Sequence, residues 1–287
     1  MTSSPTPPRS RRARSVPQID LSGALECGGI EFWYQPKVDL RRRDVTGAEI
    51  FARVKHPWYG VLSAASFMPS ADAKSLRLLT ERALLSALET SVKLTKAGIN
   101  LPITINVPAN MLGTFPFSKI IERKRPDPKQ WAGLIFDISE PHIFAQSNLI
   151  ATIIEKLQPH GVKVATDDFG RCLLMQMGLK NLPPPRMSLE QVLQELLRFA
   201  ALGIVEMKLH RTFIGDCGTN ERSAEICKAV IDLAHALGTK VVGIGIERSA
   251  DLEALKRMGC DIGQGFVFAQ PMYQDDFIRL LRAQVGK

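Results

Sequence analysis

From residue 30 onward the chain reads as an α/β protein, a modified TIM (β/α)8 barrel with an irregular, antiparallel first strand. Three observations predict it. Eight short apolar or β-branched runs recur along the chain, as strands of one sheet do. Longer amphipathic runs such as "LLTERALLSALETSVKLTKAG" and "SAEICKAVIDLAHALG" separate most of them, the pattern of a parallel sheet that closes at eight strands. The "RRRDVTG" connection between the first two runs is too short for a helix, so those two strands pair as a hairpin.

In chain order the expected strands are "FWYQPKV" over 32–38, "GAEIFARV" over 47–54, "PITINV" over 102–107 and "LIFDIS" over 134–139. "VKVATD" follows over 162–167, "IVEMKL" over 204–209, "KVVGIGI" over 240–246 and "IGQGFVF" over 262–268. Between Gly170 and Lys208 the text "RCLLMQMGLKNLPPPRMSLEQVLQELLRFAALG" predicts an inserted helical segment at about 181–203. Pro185 precedes it, Ser188 and Gln191 are spaced as a capping box, and Leu189, Val192, Leu193, Leu196 and Leu197 form an apolar stripe. That stripe packs on the barrel or serves as a partner surface or lid.

The chain has 287 residues, 45% hydrophobic and 23% charged, enough for a substantial core. Its net charge of +8 is local: Arg9, Arg11, Arg12 and Arg14 lie in a Pro/Ser-rich stretch, and Arg41, Arg42 and Arg43 in one turn. Residues 1–24 are expected to be a disordered basic arm, with residues 25–287 the barrel domain; the arm suggests nucleic acid only weakly. No run reaches the roughly eighteen apolar residues of a membrane span, and no apolar stretch backs the N-terminal arginines as in an export signal. The five cysteines, Cys27, Cys172, Cys217, Cys227 and Cys260, are odd in number and lack CxxC spacing, which supports neither a disulfide framework nor a structural zinc site. A cytoplasmic location is expected.

Polar residues recur at the C-terminal ends of the strands, where a barrel of this kind carries its chemistry: Glu49, Asn106, Asp137, the Asp167/Asp168 pair, Lys208, Glu247 and Gln264. Converging carboxylates need a neutralising cation, and oxygen donors favour Mg²⁺, Mn²⁺ or Ca²⁺ over zinc.

The stretches "FWYQPKVDLRRRDVTGAEIFARVKHPWYG", "ITINVPANML", "FDISEP", "VATDDFG", "VEMKLHRTFI" and "VVGIGIERSADLEALKRMGCDIGQGFVFAQP" resemble, in this order, the EAL family of bacterial cyclic di-GMP phosphodiesterases. The resemblance spans about residues 30–275. It implies that Glu49, of Glu49-Ile50-Phe51, together with Asn106, Asp137, Asp167 and Asp168, are metal ligands for Mg²⁺ or Mn²⁺. Asp137 stands where the family has a longer glutamate, so the metal site is weakened or shifted there. Lys208 matches the lysine that positions the attacking water, and Glu140 the glutamate that steadies the loop after the "VKVATD" strand. Gln35, Phe51, Arg53, Glu247 and Gln264 match contacts to the phosphates and bases of cyclic di-GMP. On the residues alone, Phe51 reads equally as barrel core and Arg53 as the partner of a neighbouring acid.

Two departures point away from catalysis. His210 replaces the aspartate of a Lys-Ile-Asp motif. Ile244 replaces the glutamate assigned as general base, and an isoleucine neither takes a proton nor holds a water; general-base help is commonly worth about 10²- to 10⁴-fold. Three readings follow: a catalytically inactive regulator that binds cyclic di-GMP or a protein partner; a weak metal-dependent phosphodiesterase; or an adaptor working without nucleotide. A protein partner of the loop and helix after Gly170, and a homodimer, are open expectations. His56, His142, His160 and His235 read as helix or loop residues rather than ligands.

Overall fold

The computed structural model describes residues 17–169, 194, 197–209 and 211–285, with side chains left aside at Phe144, Asp168 and Val285. Eight strands close into a barrel, as expected. In chain order they are β1 (Ile30–Asp39), β2 (Val45–His56), β4 (Ile103–Asn106), β5 (Leu134–Ser139), β6 (Val162–Phe169), β7 (Glu206–Leu209), β8 (Lys240–Ile244) and β9 (Ile262–Gln264). A ninth strand, β3 (Gly60–Leu62), is appended antiparallel to the far end of β2, with Val54 opposite Leu62. Neighbours from β2 through β4 to β9 are parallel, and β1 joins antiparallel to both β9 and β2, which closes the ring.

The β1–β2 hairpin follows from its turn chemistry. Asp39 Oδ1 accepts the amides of Arg41 and Arg42, both at 2.8 Å, and Arg43 takes a left-handed φ of 64°, so the chain reverses within a few residues. The register sets Gln35 opposite Glu49, with a bulge after Lys37. The crossover to β4 is the helix Ala73–Lys96, whose N-cap Asp72 accepts the Ser75 amide at 2.7 Å. Leu84, Ala87, Leu88 and Leu94 form its buried face.

Three expectations need correction. The packed chain begins before residue 25: Ile19 donates its amide to Ser66 O at 2.8 Å, and Asp20 caps the helix Leu21–Glu26. Leu21 and Leu25, one turn apart, are buried with Val54, Leu62 and Phe67, so they belong to the fold and not to an arm. The last two barrel strands are shorter than their apolar runs. β9 stops at Gln264 because Gly265 lies so close to Ile246 that a Cβ would stand 2.2 Å from its carbonyl oxygen, and Val267 instead donates its amide to Ile246 O at 3.0 Å.

Of the expected inserted helix, only Gln194 and residues from 197 onward are described. There Phe199 and Leu202 are buried, Phe199 against Phe169 at 5.8 Å, whereas Leu197 is 69% exposed. The rest of the stripe, like residues 1–16, lies outside the described residues. None of the described helices is long and apolar enough to cross a membrane.

Side chains that alternate into the barrel stack in layers. At the N-terminal end the Lys37 ammonium, fully buried, donates to Glu206 Oε2 at 2.6 Å and Thr104 Oγ1 at 2.8 Å. Two residues further along the strands the next inward layer is polar as well, and it forms the floor of the barrel mouth.

Candidate functional site at the barrel mouth

Six strands contribute to one hydrogen-bonded network. Glu49, 4% exposed on β2, is its hub: it accepts from Asn106 Nδ2 of β4 at 2.9 Å, Lys208 Nζ of β7 at 2.7 Å and Gln264 Nε2 of β9 at 2.9 Å. Lys208 also donates to Asp137 Oδ2 of β5. Gln264 Nε2 donates to Gln35 Oε1 of β1 at 3.2 Å, and Gln35 Nε2 to the Ala269 carbonyl at 3.0 Å. Register explains why these residues meet: Glu49 is paired with Thr104, Asn106 with Asp137, and Ser139 with Asp167, so the oxygen donors climb from β2 to β6 with the tilt of the strands.

The electrostatics follow from burial. At Glu49, burial pushes the carboxyl up, but the Lys208 charge and the three donated hydrogen bonds outweigh it and leave the group lowered. At Asp137, burial dominates; Lys208 pulls down, the Glu49 and Asp167 charges push up, and the carboxyl is raised to about 7. Burial alone would lower Lys208, yet Asp137, Glu49 and Asp167 together raise it. Lys208 is therefore a firm ammonium supplying the positive charge among these carboxylates.

Two buried side-chain oxygens in this network, Asp137 Oδ1 and Gln264 Oε1, have no hydrogen-bond partner, and elsewhere among the described residues only Trp131 Nε1 shares that condition. An unpartnered buried polar atom costs about 1–3 kcal/mol, so two in one network mark a place where something else supplies the partner. The oxygen donors and the open Asp137 Oδ1 fit a hard divalent cation, for which the resemblance implies Glu49, Asn106, Asp137 and Asp167 as ligands. Among the described residues no group of three His, Cys, Asp or Glu side chains that could hold a metal is present. Only the backbone of Asp168 is described.

Ile244 takes its place by register. Val242 pairs with Lys208 on one side, and two residues on, Ile244 pairs with Gln264. The residue expected to carry a base is thus an aliphatic side chain on the inward face of β8, beside the network. His210 lies outside the described residues.

A cavity of about 750 Å³ opens at the mouth. Asn106, Asp137, Ser139, His142 and Asp167 supply its polar lining, and Phe32, Ile50, Phe51, Phe67, Leu76 and Leu79 its apolar lining. Phe51 is therefore a wall residue, not barrel core. Arg53 sits over it, its guanidinium 5.4 Å from the ring centre, and donates to the Ala52 carbonyl at 3.0 Å rather than to an acid. Glu247 is exposed in the loop after β8, and neither it nor Arg53 lines the cavity. Glu140 is fully buried at the start of the helix that follows β5. The sequence reading passed over Ser139 and took His142 for a helix or loop residue; their Oγ and Nδ1 are 2.5 Å apart at the rim, and the one legible signal was their position at and just after a strand end.

Comparison with known proteins agrees with this geometry. Cyclic di-GMP phosphodiesterase RocR of Pseudomonas aeruginosa is 28% identical over 94% of this chain and 65% of its own length. The bifunctional diguanylate cyclase/cyclic di-GMP phosphodiesterase MucR of the same organism is 27% identical over 88% of this chain and 34% of its own. The chain thus spans from about a third to just under two thirds of the length of these curated relatives. Among solved structures, the PaMucR phosphodiesterase in complex with c-di-GMP superposes with a TM-score of 0.74 at 26% identity, covering 90% of this chain and 97% of that one. The FimX EAL domain of Pseudomonas aeruginosa bound to c-di-GMP shares the fold, with a TM-score of 0.69 at 18% identity over 88% of this chain and 94% of that one. The family description "EAL domain" matches residues 18–195 and 188–271, and the chain belongs to the EAL domain family.

Proposed function

We propose that this barrel binds cyclic di-GMP at its mouth and has lost efficient hydrolysis of it, acting as a receptor or regulator. The observation that carries the loss is Ile244, registered on Gln264 beside the Lys208–Glu49–Asp137 network, at the place where a hydrolase needs a group to accept the proton of its water. Retained binding is supported by membership of a family whose relatives RocR and PaMucR are named for this nucleotide, and by the unpartnered oxygens of Asp137 and Gln264. In this reading Phe51 offers a ring face to a base, Arg53 a cation to phosphate, and Gln35, Gln264 and Glu247 polar contacts; Gln35 and Gln264 exchange their mutual bond for the ligand.

A divalent cation, when bound, supplies the activated water of phosphodiester hydrolysis. Glu49, Asn106, Asp137 and Asp167, with Asp168, would hold it, and Lys208 fixes Glu49 and Asp137 while balancing their charge. Nothing at position 244 takes the proton.

A second reading, a weak phosphodiesterase, is favoured by the intact Glu49–Asn106–Lys208 arrangement. Calorimetric titration of cyclic di-GMP in Ca²⁺ buffer, followed by a product assay in Mg²⁺ or Mn²⁺, separates the readings. Binding with no linear dinucleotide formed is the expected result. Steady turnover supports the second reading. Absence of binding overturns both and leaves a nucleotide-independent adaptor. Ile244→Glu combined with His210→Asp is expected to restore some metal-dependent hydrolysis.

A further inference from the structure

Beside the mouth runs a stretch of the chain that the proposed function does not use. Residues 17–20 are strapped to the turns Ala64–Ser66 and Met68–Ser70. Gln18 Nε2 donates to the Ala65 carbonyl at 3.3 Å, the Ile19 amide to Ser66 O at 2.8 Å, and the Ser70 hydroxyl to Ile19 O at 2.8 Å. Ala64, Phe67 and Met68 of the same turns and the residue between them line the mouth cavity, so the described chain starts beside the cavity wall.

Ahead of it, residues 1–16 carry Arg9, Arg11, Arg12 and Arg14 and no Asp or Glu. A chain spans at most about 3.6 Å per residue, which keeps Arg14 within about 11 Å of Pro17 and Arg9 within about 29 Å. All four arginines are therefore within reach of the cavity. Among the described residues that line it, the ionisable side chains are Asp137, Asp167 and His142, with no Lys or Arg. Lys208 donates to Glu49 and Asp137 without lining the cavity, and Asp137, 2% exposed, keeps Oδ1 without a hydrogen-bond partner.

We propose that residues 9–14 dock in the mouth of their own barrel when no other ligand fills it, their arginines pairing with the Asp137 and Asp167 carboxylates. A guanidinium meets a carboxylate with paired N–H donors, which suits the open Asp137 Oδ1, and it is more weakly hydrated than an ammonium, so it enters a partly apolar cavity at lower desolvation cost. The aliphatic stem of arginine packs well against apolar lining such as Phe67, Leu76 and Leu79.

Docking of this kind regulates the site by competition. The arginines and a divalent cation seek the same carboxylate oxygens, so a cation, with or without an anionic ligand, has to displace the segment. A short tether sets an effective concentration of about 1 mM, so a contact with a Kd near 0.25 mM is about 80% formed within one chain. The inference requires the acidic mouth and not nucleotide binding, so its failure is separate from that of the proposed function.

Trypsin reads the contact in the full chain. Cleavage after Arg9, Arg11, Arg12 and Arg14 is followed by intact mass in chelator, with a synthetic peptide of residues 1–19 as the exposed reference. At about 1 μM protein, contact between separate chains is negligible, and the expected result is cleavage about five-fold slower than in the peptide. Asp167→Asn and Asp137→Asn, each shown by its melt to be folded, are expected to bring the rate back toward that of the peptide. In the parent, raising NaCl from about 0.05 to about 0.5 M should do the same, relative to the peptide in the same buffer. Cleavage of the parent at the peptide's rate overturns the proposal. Slow cleavage that neither salt nor a folded variant changes overturns it as well, since the arginines would then be held on another surface.

Discussion

Lys208→Met tests whether one ammonium holds the barrel mouth together. Its side chain is 2% exposed, and it is the cation bonded to Glu49 and Asp137, whose side chains are 5% and 0% exposed. Removing one partner of a buried ionic group leaves uncompensated charge and costs about 3–5 kcal/mol. At about 2–4 °C per kcal/mol for a chain of this size, the melting midpoint should fall by roughly 6–20 °C. Lys228→Met is the control: Lys228 pairs with Asp232 at the surface, both side chains about half exposed, and such pairs are worth about 0–1 kcal/mol.

The pH dependence has a definite sign. The Asp137 carboxyl is raised from 3.8 to about 7, so between those values the native state holds more protons than the unfolded state, and stability falls as pH rises. Without the ammonium the carboxyl moves further up, so the variant should recover part of its deficit as pH falls from about 8 to about 6. Calorimetric melts across that range measure both effects. A variant melting within about 2 °C of the parent at pH 7.5, with no recovery on acidification, would refute the argument that Lys208 balances these carboxylates.

Gly265→Ala puts a Cβ 2.2 Å from Ile246 O and should cost more than about 2 kcal/mol in urea unfolding, since backbone must move on both sides of Gln264. Tyr34→Phe removes hydroxyl bonds to Ser86 Oγ at 2.8 Å and Thr90 Oγ1 at 2.6 Å; Thr90 keeps the Ser86 carbonyl and Gln274, so the loss should stay near 1 kcal/mol by the same method. Leu21→Ala empties a fully buried position in the small cluster around Phe67 and should lower stability by about 2–3 kcal/mol, which would place the N-terminal helix inside the cooperative unit. Ile244→Glu adds a carboxylate beside the network; a loss of stability in chelator, on the order of 1 kcal/mol and reversed by Mg²⁺, is the expected result of melts in each buffer.

The barrel was legible because its strands are apolar runs bounded by turn residues, and β5 matches its run over 134–139. What escaped depends on partners distant in sequence. β3 is three residues long and is a strand only because Val54, Lys55 and His56 pair with it. Leu21 and Leu25 were hidden by the Arg, Pro and Ser residues before them, since composition taken over a stretch outweighs a single helical turn.

The mouth divides along the same line. That Glu49, Asn106, Asp137, Asp167 and Lys208 share an end follows from strand period and can be read from the chain; that Lys208 bonds two of the carboxylates while Asp137 Oδ1 and Gln264 Oε1 go without partners cannot. The distinction bears on what Ile244 means. Asp137, shorter than the glutamate the resemblance implies, keeps a carboxyl with an open oxygen and a hydrogen bond to Lys208, so the network retains its character. Ile244 keeps neither charge nor hydrogen bonding, and its register beside Gln264 fixes it on the inward face. On the proposed function, four oxygen-donor residues and one ammonium would hold a cation and an anionic ligand, whereas an aliphatic chain at 244 leaves no proton acceptor there. In that reading binding and hydrolysis rest on different residues of one mouth, and the substitution at 244 is what would separate them.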